Sequence, residues 1–100
     1  MTYSVIISGK TQTDIVQARN WYESESPGLG DAFWETLYQT LDKIVQHPTR
    51  YMTVGKEVRR ALVERFPYKI YFHINDLMQR IEVIAVIHNA RHPRVWKKRL

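Results

Sequence analysis

At Tyr51 the spacing of apolar residues changes from the period of an α-helix to that of a β-strand, which limits the chain to folds that mix the two. Before that point Leu29, Phe33, Leu37, Leu41 and Ile44 or Val45 lie along one stripe, the pattern of a helix with one buried face. Asp31 sits in its first turn, where a carboxylate favours the positive end of the helix dipole. Pro48 ends it by disfavouring helical backbone at His47. A shorter periodic segment starts at Thr11, with Ile15, Ala18 and Trp21 or Tyr22 recurring every three to four residues. Thr11 with Asp14 resembles a capping pair for this segment. Ser24-Glu25-Ser26-Pro27-Gly28 interrupts it, and so short a connection predicts two helices packed as an antiparallel hairpin.

The remaining segments read as strands. Tyr3 to Ser8 is short, rich in β-branched residues and ended by Gly9. Glu57 to Glu64 carries Val58, Leu62 and Val63 among Arg59 and Arg60. Tyr68, Ile70, Phe72 and Ile74 then alternate with Lys69, Tyr71 and His73, as in a half-buried strand. Asn75-Asp76 has turn chemistry. Arg80 to His88 is apolar on both parities in its middle, which suits a central strand covered on both faces. The expected fold is α+β in the order β-α-α-β-β-β. A helical hairpin packs on one face of a mainly antiparallel four-stranded sheet, and the other face stays partly open. Residues 1–100 are expected to form a single domain.

Composition narrows the chemistry. The chain has no cysteine, which removes disulfides, thiolate catalysis and cysteine-ligated zinc together. It has no phosphate-binding glycine loop, no nucleophile elbow and no paired histidines at helical spacing. His47, His73, His88 and His92 lack an organised carboxylate pair, so neither a metal nor another cofactor is expected. No apolar run approaches the roughly 20 residues that span a bilayer, and no signal peptide is visible, so a cytoplasmic protein without a membrane partner is expected. Residues 1–50 hold four Lys/Arg and six Asp/Glu, a net of −2. Residues 51–100 hold eleven and four, a net of +7. Such asymmetry points to nucleic acid or an acidic protein as the partner.

Lys69, Tyr71 and His73 share one face of their strand because side chains alternate across it. Arg59 or Arg60, and His88 or Arg91 from the next strand, can join them on the open side of the sheet. Cations interleaved with aromatics suit a phosphate backbone with unstacked bases. The same residues also suit an ordinary solvated face, with Tyr71 packed over lysine stems. Trp21 and Trp34 read as core or hairpin packing. Trp96, among Arg94, Lys97, Lys98 and Arg99, either stacks on a partner or docks on the sheet edge.

Several segments together resemble the RelE/ParE superfamily of bacterial type II toxins. They are Trp21-Tyr22-Glu23, Pro27-Gly28-Leu29-Gly30 with Phe33, Ile44 with Pro48, Val58-Arg59-Arg60, and Arg65-Phe66-Pro67-Tyr68 with Ile70-Tyr71. The last is Ile84-Ala85-Val86-Ile87-His88 with Arg91, Pro93 and Trp96. The resemblance covers nearly the whole chain and implies the same β-α-α-β-β-β fold. It also implies a growth-inhibiting toxin neutralised by a cognate antitoxin protein. Two targets are open. RelE-type members cut ribosome-bound mRNA without a metal. On that reading Lys69, Arg60 and Arg91 hold the phosphate while His88 or Tyr71 exchanges protons. Here Lys69 stands where those toxins carry arginine, and Trp96 where they carry a C-terminal tyrosine. ParE-type members inhibit DNA gyrase by binding it, and the Phe66-Pro67-Tyr68 and His88 to Trp96 segments look more like this branch. On that reading Arg59, Arg65 and the tail residues Arg94, Trp96, Lys97, Lys98 and Arg99 form a contact surface. A non-catalytic RNA- or protein-binding module is a third possibility.

Overall fold

The computed structural model describes residues 3–100. Strand β1 (Ser4–Ile7) leads into helix α1 (Gly9–Glu25) and helix α2 (Leu29–Gln46). A single 3-10 turn at Pro48–Arg50 then precedes strands β2 (Thr53–Gly55), β3 (Val58–Leu62), β4 (Tyr68–Asn75) and β5 (Arg80–His88), and a short helix α3 (Arg94–Lys97) follows. The α+β architecture agrees with the sequence reading. The sheet has five strands rather than four, in the order β1-β5-β4-β3-β2. The added strand is β2, a three-residue edge too short to show a periodicity. β1 pairs parallel with β5 and all other pairs are antiparallel.

The helix stripe predicted for α2 is the one that is buried. Phe33, Leu37 and Ile44 are wholly inaccessible, each stabilising the fold by roughly 1.5–3 kcal/mol. They meet Ile15, Ala18 and Tyr22 of α1 and Ala61, Ile70, Phe72, Ile81, Val83 and Val86 of the sheet. Phe66, just before β4, stands edge-on to both Tyr22 (4.9 Å) and Phe33 (5.2 Å), so the Phe-Pro-Tyr segment closes the core at this end.

The N-cap of α1 is Ser8, whose Oγ accepts from the Thr11 N–H at 3.3 Å, three residues ahead of the expected Thr11 start. Thr11 lies inside the helix, where its hydroxyl donates to the Val83 and Ile84 carbonyls of β5. The α1–α2 connection is held by Glu23, whose two carboxylate oxygens accept from the N–H groups of Gly28 and Gly30, both at 3.0 Å. Glu23 thereby satisfies donors that the start of a helix leaves free. Gly28 has φ 88°, which favours glycine. A Cβ on Gly30 would lie 2.7 Å from the Arg19 carbonyl oxygen, so this position admits no side chain without moving the hairpin.

Candidate functional site

The register between β4 and β5 decides which side chains meet. Lys69 pairs with Ile87, Tyr71 with Ala85 and Tyr68 with His88. Directly paired residues share a face, so Lys69 and Tyr71 project away from the helices while Tyr68 and His88 project to the helix side. Arg60 pairs with Tyr71 and Leu62 with Lys69, which puts Arg60 on the same face as Lys69 and diagonal to it. The face away from the helices, predicted to stay partly open, is covered at its centre by α3 and open around it, with Leu62 61% exposed. The Trp96 ring of α3 stacks on Tyr71 at 5.7 Å and 23°, and with Val58, Ala85 and Ile87 they form a second small core. Trp96 is 1% exposed and Tyr71 5%. Burial pushes the Tyr71 hydroxyl pKa up, against the opposing charge of Arg60.

Of the residues expected to contact phosphate or a partner, several are already engaged. Arg59 lies on the helix side, and its guanidinium donates to the carbonyls of Tyr51 (2.6 Å) and Thr49 (3.3 Å). Arg99 donates to Asp14 through both terminal nitrogens, at 2.5 and 2.9 Å, and to the Ile84 carbonyl at 3.1 Å. The ionised Asp14 raises the Arg99 pKa. Arg65 is exposed, with its guanidinium 5.6 Å from the centre of the Phe66 ring. Lys97 sits similarly over Trp96, at 5.7 Å. Arg94, Lys97 and Lys98 are exposed along α3 and just after it. On the far part of the same face His73, Asn75 and Arg80 all meet Glu82, at 3.3, 3.2 and 3.2 Å.

His88 and Arg91 join a different group. With Trp21, Tyr22 and Tyr68 they line a cleft of about 360 Å³ at the end of the sheet, between α1 and the chain leaving β5. Expected in the core or in the hairpin packing, Trp21 is instead 57% exposed. Trp34 is also partly exposed and leans on Tyr38 at 5.1 Å. Tyr68 also lines the cleft, its ring edge-on to His88 at 5.2 Å. Tyr68 shares parity with the core residues Ile70 and Phe72, so its sequence position signals burial and nothing more. Among the described residues no cluster of three His, Asp or Glu stands where it could hold a metal ion.

Residues 5–93, which stop just short of α3, match the family described as the ParE toxin of the type II toxin-antitoxin system parDE. The chain belongs to the ParE toxin family. No curated protein shows significant similarity to it. Among solved structures, a chain of the chromosomal ParDE system from P. aeruginosa superposes with a TM-score of 0.74 at 14% identity, covering 86% of this chain and 95% of that one. A mutant E. coli RelE toxin in the free state gives 0.71 at 15%, covering 97% and 93%. The same RelE mutant bound to a peptide of its antitoxin gives 0.64 at 16%, covering 100% and 96%. At these identities the structural likeness speaks for the RelE/ParE fold. The ParE family membership rests on the sequence match, and it makes this chain a toxin of a type II system.

Proposed function

We propose that this ParE-family toxin arrests growth by binding DNA gyrase, without cutting RNA, and that a cognate antitoxin keeps it inactive. The observation that carries this reading is the separation of the groups that RNA cleavage would need. Attack by a 2′-hydroxyl calls for a proton acceptor, a proton donor and cations around one phosphate. Lys69 and Arg60 are on one face, His88 is on the other, and Tyr71 is sealed beneath Trp96. A toxin that works by contact requires no such assembly. The exposed cations Arg94, Lys97 and Lys98 suit acidic partners and would speed encounter with them.

The reading is tested by induced expression in E. coli, with growth followed and messages mapped by primer extension. Growth should stop while messages stay intact. Unimpaired growth with abundant folded protein would overturn the toxin reading. Ribosome-dependent breaks in the message would overturn the gyrase reading and favour RNA cleavage involving Lys69, Arg60, Arg91 and His88.

A further inference from the structure

The cleft at the end of the sheet is not used by the contact surface proposed above, and its lining is specific. Four of its five residues are rings: Trp21, Tyr22, Tyr68 and His88. Tyr22 meets the Trp21 indole edge-on, at 5.0 Å and 80°, and more than half of the indole is open to solvent. A pocket of about 220 Å³, sharing Trp21, Tyr68, His88 and Arg91, extends the cleft toward Asp14. Together they fall in the roughly 300–1,000 Å³ range of small-ligand sites.

Beside the Gln17 amide and the tyrosine hydroxyls, which can donate and accept, the cleft holds two nitrogen donors, on His88 and Arg91. His88 Nδ1 accepts the Ala90 N–H at 3.0 Å, which leaves the ring hydrogen on Nε2. The Arg91 N–H donates to the His88 carbonyl at 3.0 Å, fixing where the arginine leaves the turn. Its guanidinium forms no ion pair among the described residues. Tyr68 keeps its proton, since burial raises its pKa despite the opposing charge of Arg91. The one carboxylate nearby, Asp14, is committed to Arg99 and to the Val86 N–H. The cleft therefore offers ring faces, hydrogen-bond donors and one uncompensated positive charge.

We propose that this cleft binds a nucleoside monophosphate unit, its base against the Trp21 indole and its phosphate on Arg91 and His88 Nε2. The exposed indole surface favours a planar base over the acidic side chains of a peptide, which would use the cation and leave the indole idle. The unit comes either as a free nucleotide or as the 5′-phosphorylated end of a single-stranded nucleic acid. The inference does not depend on gyrase being the toxin's target.

The test is calorimetric titration of the full chain with AMP, adenosine, inorganic phosphate, a 5′-phosphorylated single-stranded tetranucleotide and an acidic peptide. AMP should bind saturably, with adenosine and phosphate each weaker by about tenfold or more. Arg91→Gln should weaken AMP by about tenfold and leave adenosine little changed, whereas Trp21→Leu should weaken both alike. Both side chains are exposed, so the variants should keep the fold, as circular dichroism would verify. A tetranucleotide tighter than AMP assigns the cleft to nucleic-acid ends, and the reverse order assigns it to free nucleotides. No saturable AMP binding up to about 5 mM, binding unchanged in both variants, or an acidic peptide that outbinds AMP through Arg91 would overturn the proposal.

Discussion

Asp14 shows how a single carboxylate can join distant parts of this fold. β1 ends its pairing with β5 at Ile7 and Val83, and the edge of β5 beyond that point needs other partners. The Thr11 hydroxyl donates to the carbonyls of Val83 (3.1 Å) and Ile84 (2.7 Å), and the Asp14 carboxylate accepts the Val86 N–H (3.1 Å). The same carboxylate receives Arg99, tying the tail to α1 and β5. Both side chains of the pair are under one-fifth exposed. Asp14→Asn should therefore destabilise the protein by about 3 kcal/mol, because Arg99 is left without its counter-charge. Urea denaturation measures this, and stability equal to the parent would refute the role. Glu82 gives a pH-dependent counterpart. The Asn75 hydrogen bond, then those of His73 and Arg80, lowers its pKa below the ordinary 4.5 against a desolvation penalty. A folded value below the unfolded one means that the contribution is complete above about pH 4.5 and is lost as pH falls through the folded value. Thermal melts should show Glu82→Gln and the parent converging as the pH drops through this window. A constant gap between them would contradict the assignment.

Elements differ in how plainly the sequence announces them. The α2 stripe and the alternation of Tyr68 to Ile74 are visible because each buries one face against a single core. The position of His88 is not, and the reason is a β-bulge. The register shifts between Tyr71 and Phe72, which pair with Ala85 and Val83 and leave Ile84 as the extra residue. Strict alternation from Ile81 would put His88 on the face of Lys69 and Tyr71; the bulge reverses the parity and sends it to the helix side. Apolar residues on both parities of β5 were a real signal of two covered faces, but not of what covers the second. That element is α3, a single turn whose basic residues conceal one buried anchor, Trp96. Trp96→Ala should cost about 3–5 kcal/mol through the lost stack and the cavity beside Tyr71. A shift in the guanidinium midpoint measures that cost. A change below about 1 kcal/mol would mean that α3 does not hold this face in solution.

For the molecule as a whole, the periodicity and the order of the segments carried the fold and the family, whereas the separation of surfaces emerged only in three dimensions. The basic half of the sequence does not make one continuous site. Part of it, Arg59 and Arg99, is spent on holding backbone and tail in place. Arg60 and Lys69 flank the covered face, Arg94, Lys97 and Lys98 lie along and beyond α3, and Arg91 belongs to the aromatic cleft. Lys69, His88 and Arg91 were legible as chemistry-bearing residues, but their grouping depended on a bulge that no motif marks. This distribution fits a toxin whose action is contact with a protein target. The most direct test adds the purified chain to DNA gyrase, relaxed plasmid and ATP, and follows supercoiling on gels. A toxin that acts on gyrase should cause a dose-dependent loss of supercoiling, whereas undiminished supercoiling at a large excess of folded toxin would rule gyrase out as the target.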